Sequence, residues 1–568
     1  MNLELLSDMK GNDRVNTKFK RIVSGIIACG LILSFAGCSK SDSDSKDESS
    51  GSTIKRENIT TAPVVETLGD LDLSDVHNEN QVPADFSYER EVESGELAGQ
   101  AMVLDSGFLG DYSGDGFVAM FYAEDAVTLE ADFETDGSYD ISVICAADKA
   151  GVINQITIDG DPLVSFEINS TEFDENIAEK VLIPEGKHVI GIKSSGELAG
   201  TYIDKIIITP AVPVDLTQYE VENKLSNPNA SDETQRLFNF LTDVYGKYTI
   251  SGQYSSTNLG KESREFIEIE RNTGEIPAIL GLDLIESSPS RIANGAGGGQ
   301  MVALQAIDWW QNEGGIVTMC WHWNAPEPYL NKDGAAWWEG FNTSATTFDL
   351  AAALDGSDPE GYDYLIRDID AIAVELAKLD DNHVPILWRP LHEGGGDPQW
   401  KNPWFWWGAS GADAYKELWI LMYDRLTNYH KINNLIWVWN GQEPSYYPGD
   451  EYVDIMGYDI YADNLDTSSQ KQKFNFTQNV TDTNKIVALT ENGVLFDPDA
   501  AFNDGARWAW FAVWNGDFAL KDMQLSGEYT PLEMWKKVYT HERVLTLDEL
   551  PDLKNYPLDT EKFLAENK

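Results

Sequence analysis

Along this chain of 568 residues the spacing of apolar positions changes several times, and each change predicts a different kind of segment. From 22 to 37 apolar residues run almost unbroken behind Arg14, Lys18, Lys20 and Arg21, a stretch too short to cross a bilayer comfortably and shaped like a signal peptide. Residues 39–52 read SKSDSDSKDESSGS, which buries too little apolar area to fold and predicts a spacer continuing with little structure to about residue 80. Between 88 and 209 short β-prone runs at 126–133, 137–146, 154–158, 188–193 and 202–209 are divided by Gly, Asp and Ser turns, predicting an antiparallel β-sandwich. Beyond about 235 apolar runs at 248–252, 278–284, 315–321, 384–390, 435–439, 453–458, 486–490 and 508–513 alternate with helical patterns such as 301–312, 365–379 and 412–430. Eight such units predict a (β/α)₈ barrel. The organisation is thus a leader over 1–37, an acidic linker over 38–80, a jelly-roll sandwich over 81–210, a linker over 211–234 and a barrel over 235–568.

Charge narrows the partners. With 41 Lys and Arg against 95 Asp and Glu, the formal net charge is -54. Such a field repels nucleic acid and anionic polysaccharides and suits a neutral polymer. Solubility outside the cell accounts for most of it. The 18 Trp concentrate after about residue 308, where flat rings suit sugars, although core packing accounts for most of them singly. Cys29 and Cys38 fall in the leader and Cys145 and Cys320 in different domains, so no disulfide framework or thiolate zinc site is predicted.

Active sites of such barrels lie at the C-terminal strand ends. Those ends carry Asp283, His322, His392, Glu393, Asn440, Asp459, Tyr461, Glu491, Trp514 and Asn515. Glu393 closes the fourth strand and Glu491 the seventh. Hydrolysis of a glycosidic bond with retention needs a carboxylic acid and a nucleophilic carboxylate about 5–5.5 Å apart, which facing strand ends supply. A lone strand-end Glu is more often structural. The His392-Glu393 pair lacks the second histidine of a zinc peptidase, because position 396 is Gly. No nucleophile elbow or phosphate loop is present.

Three resemblances sharpen these readings. Phe35-Ala36-Gly37-Cys38 resembles a bacterial lipobox, which implies lipidation of Cys38 and anchoring of a monomer at the outer surface of the cell. Tyr88-Glu89-Arg90-Glu91, Gly110 to Phe121 (GDYSGDGFVAMF), Gly137-Ser138-Tyr139, Ile158-Asp159-Gly160, Pro184-Glu185-Gly186-Lys187-His188 and Tyr202-Ile203-Asp204-Lys205-Ile206 follow the order seen in carbohydrate-binding modules of families 35 and 6. That likeness implies a structural calcium on Glu89, Glu91 and Asp204. Trp388-Arg389-Pro390-Leu391-His392-Glu393, Trp404-Phe405-Trp406-Trp407-Gly408 and Leu489-Thr490-Glu491-Asn492-Gly493 resemble glycoside hydrolase family 26, mostly endo-β-1,4-mannanases.

The family implies Glu393 as acid/base, Glu491 as nucleophile, His392 as an orienting neighbour and Trp404 as a sugar platform. It further implies His322, Asp459, Tyr461 and Trp514 around the substrate, with Tyr461 supporting the nucleophile. Catalysis by such an enzyme uses no cofactor, and its partner is a β-mannan. β-1,3-1,4-Glucanase, β-1,3-xylanase and a non-catalytic glycan-binding protein are the alternatives. Residues 394–403 are longer than the usual link and bring in Trp400, predicting a reshaped cleft. The mechanism requires Glu393 to titrate above Glu491, whose negative charge is one source of that rise.

Overall fold

A computed structural model describes residues 65–567, apart from 75, 77–79, 107–108, 195–198, 257–258, 298 and 397–402. The leader, Cys38 and the serine-rich run therefore lie outside the described residues.

Strict alternation builds the first domain. In Ala126–Phe133 every second residue (Val127, Leu129, Ala131, Phe133) is buried, and in Gly137–Ala147 Tyr139, Ile141, Val143 and Cys145 are. Two antiparallel sheets, one of six strands and one of five, enclose these rows in one core. Strand Asp174–Ile183 escaped the alternation pattern for a physical reason. Lys180 has φ +55° and the register against Gly137–Ala147 shifts there, so the apolar period breaks.

The second domain is a closed barrel of eight parallel strands: β1 (Gly252–Tyr254), β2 (Ile279–Asp283), β3 (Ile316–Cys320), β4 (Ile386–Arg389), β5 (Leu435–Trp439), β6 (Ile455–Ile460), β7 (Ile486–Asn492) and β8 (Phe511–Val513). Almost every strand residue is buried, as a sheet covered on both faces requires. The first strand differs from expectation: Thr249–Ile250 pairs with Val544–Leu545 outside the barrel, and β1 begins only at Gly252. Helix Asp232–Val244 closes the N-terminal end of the barrel. Ser231 caps it by accepting from Thr234 N at 3.2 Å, and the Ser231 amide donates to Asn433 O at the foot of β5. Leu237, Phe238, Phe240, Leu241 and Val244 are its buried side.

The chain just before the sandwich is not a free spacer. Thr67 N donates to Asn555 O at 2.9 Å, Glu66 pairs with Arg236 at 3.0 Å, Arg507 reaches Val76 O at 3.2 Å, and Leu68, Leu71 and Leu73 pack on the barrel core. This strap therefore belongs energetically to the barrel. Three half-buried leucines contribute about 2–4 kcal/mol at roughly 0.8 kcal/mol per buried methylene. A fragment starting at residue 81 is expected to melt several degrees below one starting at 65; equal melting temperatures by calorimetry would show the strap to be inert.

Candidate active site

At the mouth of the barrel Pro390 ends β4, having no N–H for the ladder. The turn that follows puts both Leu391 (φ +50°) and Glu393 (φ +53°) in the left-handed region, a cost of about 1–2 kcal/mol each. Bonds from Glu393 N to Asn440 O (3.0 Å) and from Gly395 N to Gly441 O (2.8 Å) fasten this turn to the end of β5. Glu393 thus sits four residues beyond β4, whereas Glu491 lies inside β7. A register shift between Tyr458 and Asp459 pairs Asp459 with Glu491, so the two lie side by side.

Carboxylate oxygens of Glu393, Asp459 and Glu491 all lie within 4.8 Å of one another, and all three residues are buried. Arg389, fully enclosed, binds two of them: Nη1 donates to Asp459 Oδ2 at 2.8 Å and Nη2 donates to Glu491 Oε1. Tyr461 Oη donates to Glu491 Oε2 at 2.7 Å, and Trp404 Nε1 donates to Glu393 Oε2 at 2.7 Å. Thr490 Oγ1 and Asn440 Nδ2 donate to Asp459 at 2.6 Å each. One cation therefore serves two anions, and a third charge on Glu393 would be uncompensated.

Titration follows from this arrangement. Burial holds the Glu393 carboxyl well above the usual range, with the charges of Asp459 and then Glu491 adding to it. The expected source, Glu491, is thus the smallest of the three. Burial also pushes Asp459 up to about 7 against the opposing pull of Arg389. His392 is held far below its ordinary value by burial, then by Arg389 and His322, so its imidazole is neutral.

The sign of the Glu393 shift gives a stability prediction. A carboxyl raised in the folded state binds more protons there than when unfolded, so its favourable contribution is present below about pH 4.3 and is lost as pH rises towards the folded value. Glu393→Gln is therefore expected to melt above wild type at pH 8 and close to it at pH 4. A melting difference independent of pH would contradict the shift.

Beside the carboxylates His322 Nδ1 meets Asp283 Oδ2 at 2.7 Å, and His322 Nε2 meets His392 Nε2 at 3.2 Å. Phe341, Phe405 and Trp514 ring His322 at 5.2, 5.4 and 5.8 Å between centroids.

A comparison of the sequence with family models matches residues 226–549 to glycosyl hydrolase family 26. The chain belongs to that family. It is a glycosidase, and family 26 catalysis uses no cofactor. A protein of Thermothelomyces thermophilus named mannan endo-1,4-beta-mannosidase is 39% identical over 77% of this chain and 86% of its own. Mannan endo-1,4-beta-mannosidase B of Piromyces sp is 33% identical over 81% and 77%. Among solved structures, a Podospora anserina GH26-CBM35 beta-(1,4)-mannanase matches 83% of this chain and all of that one, with 34% identity and a TM-score of 0.62.

Several residues stand differently from what the family likeness implied. The Asp459 side chain is 0% exposed, and its oxygens accept from Arg389, Asn440 and Thr490. Trp514 is 3% exposed and its ring tilts against Tyr254 at 4.7 Å between centroids. His322 spends both ring nitrogens within the protein. Trp404 is half-buried and its N–H is committed to Glu393. Trp400 lies outside the described residues.

In the sandwich Glu89, about half exposed, pairs through Oε1 with Lys205 at 2.9 Å. Glu91 Oε2 and Asp204 Oδ2 do converge, both accepting from Ser113 Oγ at 2.8 and 2.9 Å. Glu93 stands beside Asp204 with a buried Oε2 that lacks a hydrogen-bond partner.

Arg389 and Tyr254 were not expected at the site. Arg389 could have been found: an arginine inside an apolar strand must be paired with acids once buried. Tyr254, which accepts from Arg389 at 3.0 Å, carries no such signal.

Proposed function

We propose that this chain is an endo-acting β-1,4-mannan hydrolase working with retention of configuration. The observation that carries the chemistry is that a carboxylate oxygen of Glu393 and one of Glu491 lie within 4.8 Å of each other, close to the short separation of retaining enzymes and not the wider gap of inverting ones. Mannan as substrate is supported by the names of the family 26 relatives that match most of the chain.

In the first step Glu393, protonated in its buried setting, gives its proton to the leaving glycosidic oxygen. A Glu491 oxygen attacks the anomeric carbon as the carbon–oxygen bond breaks, forming a glycosyl ester. Tyr461 and Arg389 hold Glu491 still for this attack. Ester formation removes the charge on Glu491, which lowers the proton affinity of Glu393. Now ionised, Glu393 takes a proton from water, the water oxygen attacks the anomeric carbon, and Glu491 leaves as carboxylate.

The sandwich is read as a carbohydrate-binding module in which Glu91 and Asp204, which both accept from Ser113 Oγ, are candidate ligands of a structural calcium; the mannanase solved with such a module aligns along most of this chain. The leader is read as lipidated at Cys38, which anchors a monomer to the bacterial surface. Product analysis of residues 65–568 on mannan, galactomannan, glucomannan, mixed-linkage glucan and β-1,3-xylan tests the assignment. Release of manno-oligosaccharides of several lengths from mannan is expected. Preference for the glucan or xylan overturns the substrate, and inactivity on all five overturns the enzyme.

A further inference from the structure

We propose that Asp283 is a positioning residue that sets where the ring protons of His322 and His392 sit beside the acid/base. Oδ1 of Asp283 accepts two backbone N–H groups, from Ile285 at 2.9 Å and His322 at 3.2 Å, which fixes the carboxylate at the end of β2. Oδ2 is left facing His322 Nδ1 at 2.7 Å. A carboxylate can only accept, so the proton of His322 is on Nδ1. With that single proton on the ring, Nε2 is a lone pair, 3.2 Å from His392 Nε2, and two ring nitrogens at that distance bond only if one carries hydrogen. His392 must therefore be protonated on Nε2, leaving Nδ1 as a lone pair. That Nδ1 is buried and has no hydrogen-bond partner.

Among the described residues no other hydrogen bond to these ring nitrogens is found. Phe341, Phe405 and Trp514 surround His322, and Phe405 and Trp407 flank His392. Cys320, the other titratable group near Asp283, is kept as a thiol by burial. With one proton on each ring, at His322 Nδ1 and His392 Nε2, neither ring adds to the pull that Arg389 already exerts on the Glu393 proton. The kinetic part of this inference rests on Glu393 being the acid/base; the proton positions do not.

Asp283→Asn tests it. The amide keeps Oδ1 for the two backbone donors but offers N–H to His322 Nδ1, so the chain must invert: His322 protonated on Nε2 and His392 on Nδ1. Long-range ¹H–¹⁵N correlation spectra of ¹⁵N-histidine protein at pH 7 read this directly. Wild type is expected to show His322 Nδ1–H and His392 Nε2–H, and the variant the reverse. The variant's kcat is expected to fall about 10–100-fold with KM within about twofold, the scale seen when a histidine loses its orienting partner, and Asp283→Glu is expected to recover part of it. Wild-type His322 protonated only on Nε2, or an unchanged pattern in the variant, overturns the proposal. Should the variant not fold, the wild-type spectrum decides. Full activity of Glu393→Ala would break the reading of the site while leaving the proton positions standing.

Discussion

Glu491→Ala is expected to lower kcat on mannan by about 10⁴-fold or more, since it deletes the atom that forms the covalent bond, and added azide is expected to restore turnover in part. The folded state should survive the change. Arg389 still has Asp459 as a buried partner, and Tyr461 loses one hydrogen bond, about 1 kcal/mol. Glu393→Ala gives a milder expectation of about 10²–10⁴-fold, because general acid–base assistance contributes that much. It should weaken with substrates whose leaving group needs no proton. Wild-type turnover in Glu491→Ala, measured on soluble mannan and on aryl mannosides, would remove Glu491 from the nucleophile's role.

Arg389→Met is the change expected to damage the fold most. It strands Asp459 and Glu491 in a buried site without their shared cation, and breaking such a pair from one side costs about 3–5 kcal/mol. Asp459, which Arg389 holds down against burial, would then take up a proton more readily, so the loss is expected to be larger at pH 8 than at pH 5. Denaturant unfolding at the two pH values checks it. A loss that is small, or the same at both, would mean that water enters the site and the arginine is not balancing two charges. Arg389→Lys should not rescue, because an ammonium cannot reach two carboxylates with a planar fork.

Much of this site is legible in the chain alone, and the reason is local. Strand β4 ends where Pro390 forbids the ladder, Trp-Phe-Trp-Trp-Gly follows, and Glu491 lies in an apolar strand that has no other use for an acid. Periodicity likewise marks the barrel strands, because each is buried on both faces and must be apolar throughout. Failures occurred where partners are distant in sequence. Asp459 looks like a mouth residue by position, yet Arg389, 70 residues away, draws it inside. Glu89 and Glu91 share a strand, but only Glu91 meets Ser113 while Glu89 turns to Lys205.

The strap before the sandwich makes the same point from the other direction. Its leucines are spaced too thinly to predict a fold, and they are buried only because the far end of the chain comes back to meet them. Residue types and their spacing were enough to mark the barrel, the sandwich and, with the family's motifs, the two candidate carboxylates, since those depend on burial patterns and turns written in short stretches. Which acid is saturated, which histidine nitrogen is protonated and which segment is strapped down depend on pairings between residues up to hundreds of positions apart. Those pairings exist only after closure of the barrel brings eight strand ends to one mouth.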